Sequence, residues 1–173
     1  LITGGVRSGK SRYGETLLED VAEVTYVATG PVPDPATDPE WAARIVDHRA
    51  RRPAHWSTIE TADVAKVLSS VSGAIMIDCL GTWLTAMIDR LGTWEEPLAS
   101  WQGDFHDQLQ DLIAAWQARR GLAVAVTNEV GWGLVSQYRS GRVFTELLGL
   151  VNQQMAAASD EVIMVVAGRA LRL

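Results

Sequence analysis

The sequence predicts an α/β fold with a mostly parallel sheet and helices on both faces. Short apolar runs bounded by turn residues recur along the chain, and each run is followed by a segment with the three-and-four spacing of an amphipathic helix. Five such runs alternate with helices, as in successive β-α-β units. With 173 residues, 47% of them hydrophobic and 21% charged, the chain is predicted to form a single domain over residues 1–173.

The first strand, Leu1 to Thr3, runs directly into a glycine-rich loop that fits the spacing G-x-x-x-x-G-K-S/T. Glycines let backbone N–H groups close around phosphate oxygens, the lysine reaches the β- and γ-phosphates, and the serine hydroxyl binds Mg²⁺. We therefore predict a triphosphate site at this loop and a three-layer fold of the P-loop NTPase type (RecA-like). A helix should continue from the loop to about residue 20. The loop residues are Gly4, Gly5, Val6, Arg7, Ser8, Gly9, Lys10 and Ser11.

The second strand, Val24 to Ala28, ends at Thr29 and Gly30 and leads into a proline-rich stretch. Residues 31–39 include four prolines, which cannot hold a strand ladder and indicate a surface loop. A helix follows, because Asp38 can cap it and a proline suits its first position, and it should stop before the next proline, at residue 53.

A basic cluster lies within this helix. Arg44, His48, Arg51 and Arg52 fall on one helical face, and Arg49 adds a fourth arginine between them. In a chain of net charge −6, such a cluster suggests capture of phosphate oxygens by charge-assisted hydrogen bonds, whereas a solvated basic face is the alternative. The acidic balance itself disfavours a nonspecific nucleic-acid binder.

After the proline at residue 53, the chain is predicted to form a short extended piece at 55–60, with Glu60 on a loop, and then a helix over 62–70. A third apolar strand is predicted from Ala74 to Asp78. An acidic residue at the end of such a strand is expected to hold Mg²⁺ beside a phosphate-binding loop. The alternative is that Asp78 caps the following helix.

The rest of the chain continues the alternation. Helices are predicted over 83–91, 98–120 and 141–159, and strands over 122–127 and 161–167. Residues 128–135 follow a strand end and contain two glycines, which favours a ligand-facing loop over a helix-capping turn, and Arg139 and Arg142 could add charge there. Of the seven tryptophans, we expect some to lie at contacts between subunits. The candidates are Trp94, Trp101 and Trp116.

The cellular setting is predicted from cysteine content and hydropathy. The single cysteine, Cys79, excludes an internal disulfide and fits the reducing cytoplasm. No apolar run reaches the length of a membrane span. A cytoplasmic protein without a membrane anchor is therefore expected.

Taken together, these motifs resemble the bifunctional adenosylcobinamide kinase/adenosylcobinamide-phosphate guanylyltransferase family of cobalamin biosynthesis. The resemblance covers nearly the whole chain, and it departs from the family pattern at Gly81-Thr82 and at the ending Gly168-Arg-Ala-Leu. It rests on Thr3 to Ser11, Tyr26 to Thr29, Arg44 to Pro53 with Trp56, Thr58 and Glu60, Asp78-Cys-Leu with Trp83-Leu-Thr, Thr127 to Gly131, and Gly149 with Asn152-Gln153.

The resemblance implies two reactions: ATP or GTP phosphorylates the aminopropanol hydroxyl of adenosylcobinamide, and GMP is then transferred from GTP to that phosphate, giving adenosylcobinamide-GDP and pyrophosphate. It implies a covalent guanylyl-histidine at His48, with Lys10 serving the phosphates and Mg²⁺ held by Ser11 and Asp78. It also implies a homotrimer without a nucleic-acid partner. The implied nucleotide-binding positions are Gly4 to Ser11, Ala28, Thr29, Gly30, Arg49, Ala50, Arg51, Arg52, Glu60 and Asp78.

Two other functions stay open on the sequence alone. One is another small-molecule kinase with the same loop, in which His48 is only structural. The other is a recombinase-like, nucleotide-dependent ATPase with water as its only acceptor.

Overall fold

The structure, a computed structural model, describes residues 1–32 and 34–173, so Pro33 of the predicted proline-rich loop lies outside the described residues. Its strands form one sheet in the order β3-β2-β4-β5-β1-β6-β7. Only the β6–β7 pair is antiparallel among these pairings. The strands are β1 (Ile2–Thr3), β2 (Val24–Ala28), β3 (Ser57–Glu60), β4 (Ala74–Asp78), β5 (Ala123–Val126), β6 (Ile163–Val166) and β7 (Arg169–Arg172).

The helices follow the predicted alternation, although several bounds differ: the helix predicted over 83–91 begins three residues earlier, and the one predicted over 141–159 is shifted by two residues towards the N-terminus. The first ends earlier than predicted, and the long one predicted over 98–120 is divided into a 3₁₀ turn at Leu98–Ser100 and a separate helix. In the described ranges, no helix is long and apolar enough to cross a bilayer. The helices are α1 (Lys10–Thr16), α2 (Pro39–Arg51), α3 (Val64–Ser70), α4 (Leu80–Leu91), α5 (Gln102–Ala118) and α6 (Arg139–Ala157).

The core lies on both faces of the sheet, because side chains alternate along each strand. In β4, Ile75 and Ile77 join the cluster formed with α3, α4, α5 and α6, whereas Ala74 and Met76 join the cluster on the face of α1. Every one of these four side chains is at most 4% exposed. The predicted α/β fold, with a mostly parallel sheet and helices on both faces, is confirmed and agrees with a P-loop NTPase-type architecture.

Two strands at opposite edges of the sheet differ from the prediction: β3 was predicted only as an extended piece with Glu60 on a loop, and β7 was not predicted. Glu60 lies in β3, not on a loop, because Ser57–Glu60 pairs in parallel with residues 25–28 of β2. After a turn at Ala167 and Gly168, whose φ angles are 49° and 74°, β7 pairs back onto β6. Both edge strands carry mostly exposed side chains, so neither shows the apolar pattern that marks a buried strand.

Trp101, which caps α5, and Trp116, which lies within it, belong to the core. Trp101 is 3% exposed and Trp116 is 9% exposed, and both pack within the larger apolar cluster. The prediction that they lie at subunit contacts is therefore wrong for these two residues. Aromatic side chains of this size bury a large apolar area and contribute strongly to a core.

Candidate active site

The glycine-rich loop, residues 4–11, lies at the carboxyl end of β1 and leads into α1. It turns through Arg7 at φ 57° and Gly9 at φ 97°, left-handed conformations that cost least at glycine. Lys10 is 5% exposed and its Nζ donates to the carbonyl of Gly5 at 3.2 Å. Burial lowers the pKa of Lys10, although the nearby Cys79 and Asp78 act against that shift. An ammonium group is thus held inside the loop.

Asp78 is the point at which the separate motifs meet. Its Oδ1 accepts from Ser11 Oγ at 3.3 Å, and its Oδ2 accepts from Tyr26 OH at 2.7 Å. His48 Nδ1 lies 3.5 Å from the same Oδ2. Burial would raise the pKa of Asp78, but the hydrogen bonds from His48, Tyr26 and Ser11 outweigh it and lower the pKa below its ordinary value. The carboxylate is therefore ionised at neutral pH.

The start of helix α2 is fixed beside the end of β2. Asp38 caps α2 by accepting from the backbone N–H of Trp41 at 2.9 Å, as predicted. The indole of Trp41 donates to the carbonyl of Pro31 at 3.1 Å. A Cβ on Gly30 would lie 2.7 Å from the same indole ring, so only glycine leaves room for it.

The end of α2 is fixed over β2 by Arg52. Its guanidinium carbon lies 3.9 Å above the ring of Tyr26, and its Nε donates to the carbonyl of His48 at 3.0 Å. Its Nη1 also donates to Thr58 in β3 at 2.9 Å. Stacking and hydrogen bonds together hold the helix that carries His48 against the sheet.

The arginine cluster is partly neutralised by the protein. Arg49 forms an ion pair with Glu60, and Arg51 pairs with Glu15 of α1 at 3.2 Å. Within residues 1–32 and 34–173, Arg44 has no ion pair or side-chain hydrogen bond of its own. The sequence left open whether the cluster captures phosphate or is a solvated basic face, and neither interpretation describes all of its arginines. Arg44 is the arginine best placed to meet an added anion.

Two cavities adjoin at this site. The smaller, of about 310 Å³, lies over the ends of β2 and β4, and the larger, of about 980 Å³, runs along the glycine-rich loop. Five residues line both, so His48 stands on the wall between them. These shared residues are Lys10, Ser11, Trp41, Arg44 and His48.

Most of the predicted site residues line one cavity or the other. The smaller cavity takes in Val6, Ala28, Gly30, Arg49, Arg52, Glu60 and Asp78, and the larger one takes in Arg7, Ser8, Gly9 and Arg51. Four predicted positions line neither cavity: Gly4, Gly5, Thr29 and Ala50.

Thr29 has a structural role instead. It is 2% exposed, and its hydroxyl bonds the carbonyl of Cys79 at 2.6 Å and Thr82 Oγ1 at 2.7 Å. This contact ties the end of β2 to the start of α4. The spacing of Cys79 and Thr82, which is that of a capping box, is the sequence signal that could have located it.

The loop over residues 128–138 is held by the two arginines that were expected to add charge to a ligand site. Arg142 donates to the carbonyls of Ser136 at 3.0 Å and Gln137 at 2.9 Å, and Arg139 donates to the carbonyls of Trp94 and Glu96. Both guanidinium groups thus hold backbone carbonyls while keeping their positive charge, and a contribution of that charge to a ligand site stays a prediction.

Comparison with known proteins decides the family. The profile of the family described as cobinamide kinase / cobinamide phosphate guanyltransferase matches residues 1–173. The chain belongs to this family. The resemblance predicted from the motifs is confirmed, and so is the predicted enzyme function: a cobinamide kinase and cobinamide phosphate guanylyltransferase of cobalamin biosynthesis.

Curated members of the cobinamide kinase / cobinamide phosphate guanyltransferase family align over almost their full length. The bifunctional adenosylcobalamin biosynthesis protein CobU of Salmonella typhimurium is 41% identical, over 100% of this chain and 98% of the relative. CobU of Escherichia coli is 37% identical with the same coverage. CobP of Pseudomonas aeruginosa is 35% identical over 97% of this chain and 92% of the relative.

Proposed function

We propose that both reactions of the family use the two adjoining cavities, with His48 as the residue that carries GMP. The observation that carries the proposal is the contact of His48 with Asp78, whose other oxygen contacts Ser11 of the glycine-rich loop. This contact supports the proposal, because it links the histidine of α2 to a residue of the predicted triphosphate site. A histidine with only a structural role would not need to stand between two open cavities.

The guanylyl transfer proceeds in two displacements. Because Nδ1 of His48 faces the Asp78 carboxylate, the imidazole favours a proton on Nδ1 and leaves the lone pair of Nε2 free. Nε2 attacks the α-phosphorus of GTP, the N–P bond forms, and the bond to the bridging oxygen breaks with pyrophosphate leaving. A phosphate oxygen of adenosylcobinamide phosphate then attacks the same phosphorus, the N–P bond breaks, and free His48 returns.

The kinase step depends on the glycine-rich loop and Asp78. Lys10 serves the β- and γ-phosphates, and Arg44 is placed to meet phosphate charge from the α2 side. A serine hydroxyl and an ionised carboxylate 3.3 Å apart are a suitable oxygen pair for Mg²⁺, which commonly takes one or two carboxylates together with substrate phosphates. When bound there, Mg²⁺ neutralises charge on the transferring phosphoryl group.

We further propose that the chain works as a single catalytic domain in a cytoplasmic homotrimer that takes ATP or GTP. Support for the assembly comes from the edge strand β7, which exposes Leu171 and pairs only with β6 among the described residues. An unpaired edge with apolar side chains is suited to contact between copies.

The test is labelling with GTP that carries its label on the α-phosphate. Wild-type protein should acquire an acid-labile, base-stable label, as expected of a phosphoramidate, and the variant His48→Asn should acquire none. The variant His55→Asn is the matched control, because His55 is exposed in the same part of the chain and lines neither cavity. An active wild-type enzyme that stays unlabelled would refute the histidine intermediate.

A further inference from the structure

The loop over residues 130–138 carries exposed apolar side chains and begins at Val130, which lines the smaller cavity. Trp132 is 75% exposed, Leu134 is fully exposed, and Val135 and Tyr138 are also exposed. Monomeric proteins seldom leave several large apolar side chains together in water unless that surface binds something. We call these four residues the apolar loop surface.

The apolar loop surface is continuous with the proposed active site. The loop leaves the carboxyl end of β5, and Val130 at its start lines the smaller cavity. The chain then returns into α6, whose Phe144 lines the same cavity. The loop that carries the apolar loop surface therefore starts at the smaller cavity and leads into a helix that also lines it.

The exposed apolar side chains lie on a loop whose C-terminal end is fixed by hydrogen bonds. Arg142 bonds two carbonyls at the loop's end, and the backbone N–H of Tyr138 donates to Ser136 Oγ at 3.2 Å. At the tip the chain stands clear of the body, because a Cβ added at Gly131 or Gly133 would have no neighbouring atom within 4 Å. The apolar side chains therefore project from a loop whose C-terminal end is held in place.

Size decides which part of the acceptor enters the site. A drug-sized ligand typically fills a pocket of roughly 300–1,000 Å³, and a corrinoid is larger than that. The cavity next to Asp78 has about 310 Å³, enough for the aminopropanol arm with its hydroxyl but not for the macrocycle. The macrocycle must then rest outside, against whatever surrounds the mouth.

We propose that the apolar loop surface binds the corrin macrocycle of the acceptor while its aminopropanol arm reaches Asp78, so that Trp132 determines affinity for the corrinoid. The inference rests on the proposed function. A second copy of this chain is the competing occupant, but the edge strand β7, which exposes Leu171, offers a separate surface for such a contact.

The experiment compares Trp132→Ala with Leu122→Ala in the full chain. Leu122 is 53% exposed at the opposite end of β5, so both substitutions remove a large exposed apolar side chain from the same strand's flanks. With adenosylcobinamide as the varied substrate, Trp132→Ala should raise the KM for the corrinoid about tenfold with kcat unchanged, because lost aromatic packing of this kind is typically about one factor of ten. Trp132→Phe should restore most of the affinity, and Leu122→Ala should match wild type.

Two further measurements separate the outcomes. Labelling from α-labelled GTP should be equal in wild type and Trp132→Ala, since the loop tip takes no part in nucleotide binding, and sedimentation velocity should give equal masses. An unchanged corrinoid KM in Trp132→Ala overturns the inference, and so does a changed mass, which would assign the loop to a contact between copies. A wild-type protein that does not phosphorylate adenosylcobinamide would instead overturn the proposed function.

Discussion

The hydroxyl of Tyr26 provides a sharp test of how the buried carboxylate is stabilised. Tyr26→Phe removes the 2.7 Å donor to Asp78 Oδ2 and keeps the ring that lies beneath Arg52. Tyr26 is 3% exposed, so water cannot readily replace the lost donor. The remaining contacts to Asp78, from Ser11 and His48, are longer at 3.3 and 3.5 Å.

The magnitude follows from the charge of the acceptor. A hydrogen bond to a charged group contributes roughly 1.5–3 kcal/mol, so the free energy of unfolding at pH 7 should fall by about 2 kcal/mol. For a chain of this length, that loss lowers the Tm by about 4–8 °C. Urea unfolding of wild type and variant measures the difference directly.

The pH dependence identifies the cause. The folded pKa of Asp78 lies below its ordinary value of 3.8, and losing the tyrosine donor makes that depression smaller. The stability difference should therefore be fully present above pH 3.8 and should shrink as the pH falls towards the folded pKa, where the carboxyl takes up a proton.

The control is Tyr13→Phe. In the part of the chain that the structure describes, the hydroxyl of Tyr13 makes no hydrogen bond, so its removal should change stability by less than about 0.5 kcal/mol. Equal losses in the two variants, or a loss in Tyr26→Phe that grows on acidification, would refute the role given to the Tyr26 hydroxyl.

Three further outcomes are expected. Gly4→Ala should abolish nucleotide binding and destabilise the fold by several kcal/mol, because its Cβ would lie 2.4 Å from the carbonyl oxygen of Val165; GTP titration and thermal unfolding measure both effects. Because burial lowers the pKa of Lys10, kcat/KM for the nucleotide should begin to decline with rising pH at a pH below 10.5. In Lys10→Arg this decline should shift to higher pH, because arginine stays protonated there. Gly30→Ala should displace Trp41, because the new Cβ would lie 2.7 Å from its indole ring. The KM for GTP should rise roughly tenfold with little loss of stability. An unchanged KM would show that the start of α2 is not fixed by this contact.

Sequence patterns predicted the buried strands and most helices because they depend on local periodicity. Strands such as β2 and β4 are continuous apolar runs, and the start of α2 is set by Asp38 and the proline that follows it. Of the two edge strands, β7 was not predicted and β3 was predicted only as an extended piece, because both are stabilised by backbone pairing with a neighbouring strand and their exposed side chains carry no apolar pattern. Pairing partners distant in the chain have no local signal.

The candidate site divides in the same way. Residue type and spacing alone predicted a phosphate-binding loop at 4–11, a carboxylate at Asp78 and a cationic helix around His48, because each lies within a short segment. Only the tertiary structure decided which groups face one another: it paired Arg49 and Arg51 with carboxylates and left Arg44 at the cavities. It also placed Tyr26, which the motifs had marked as part of a strand and of the family resemblance but not as a site residue, against Asp78.

The physical reason is that a parallel sheet gathers the carboxyl ends of β1, β2 and β4 at one edge, whatever the distance between them in the chain. The sequence determined the chemical groups available at that edge. Packing of α2 against β2 determined their distances, and through them which carboxylate meets the histidine.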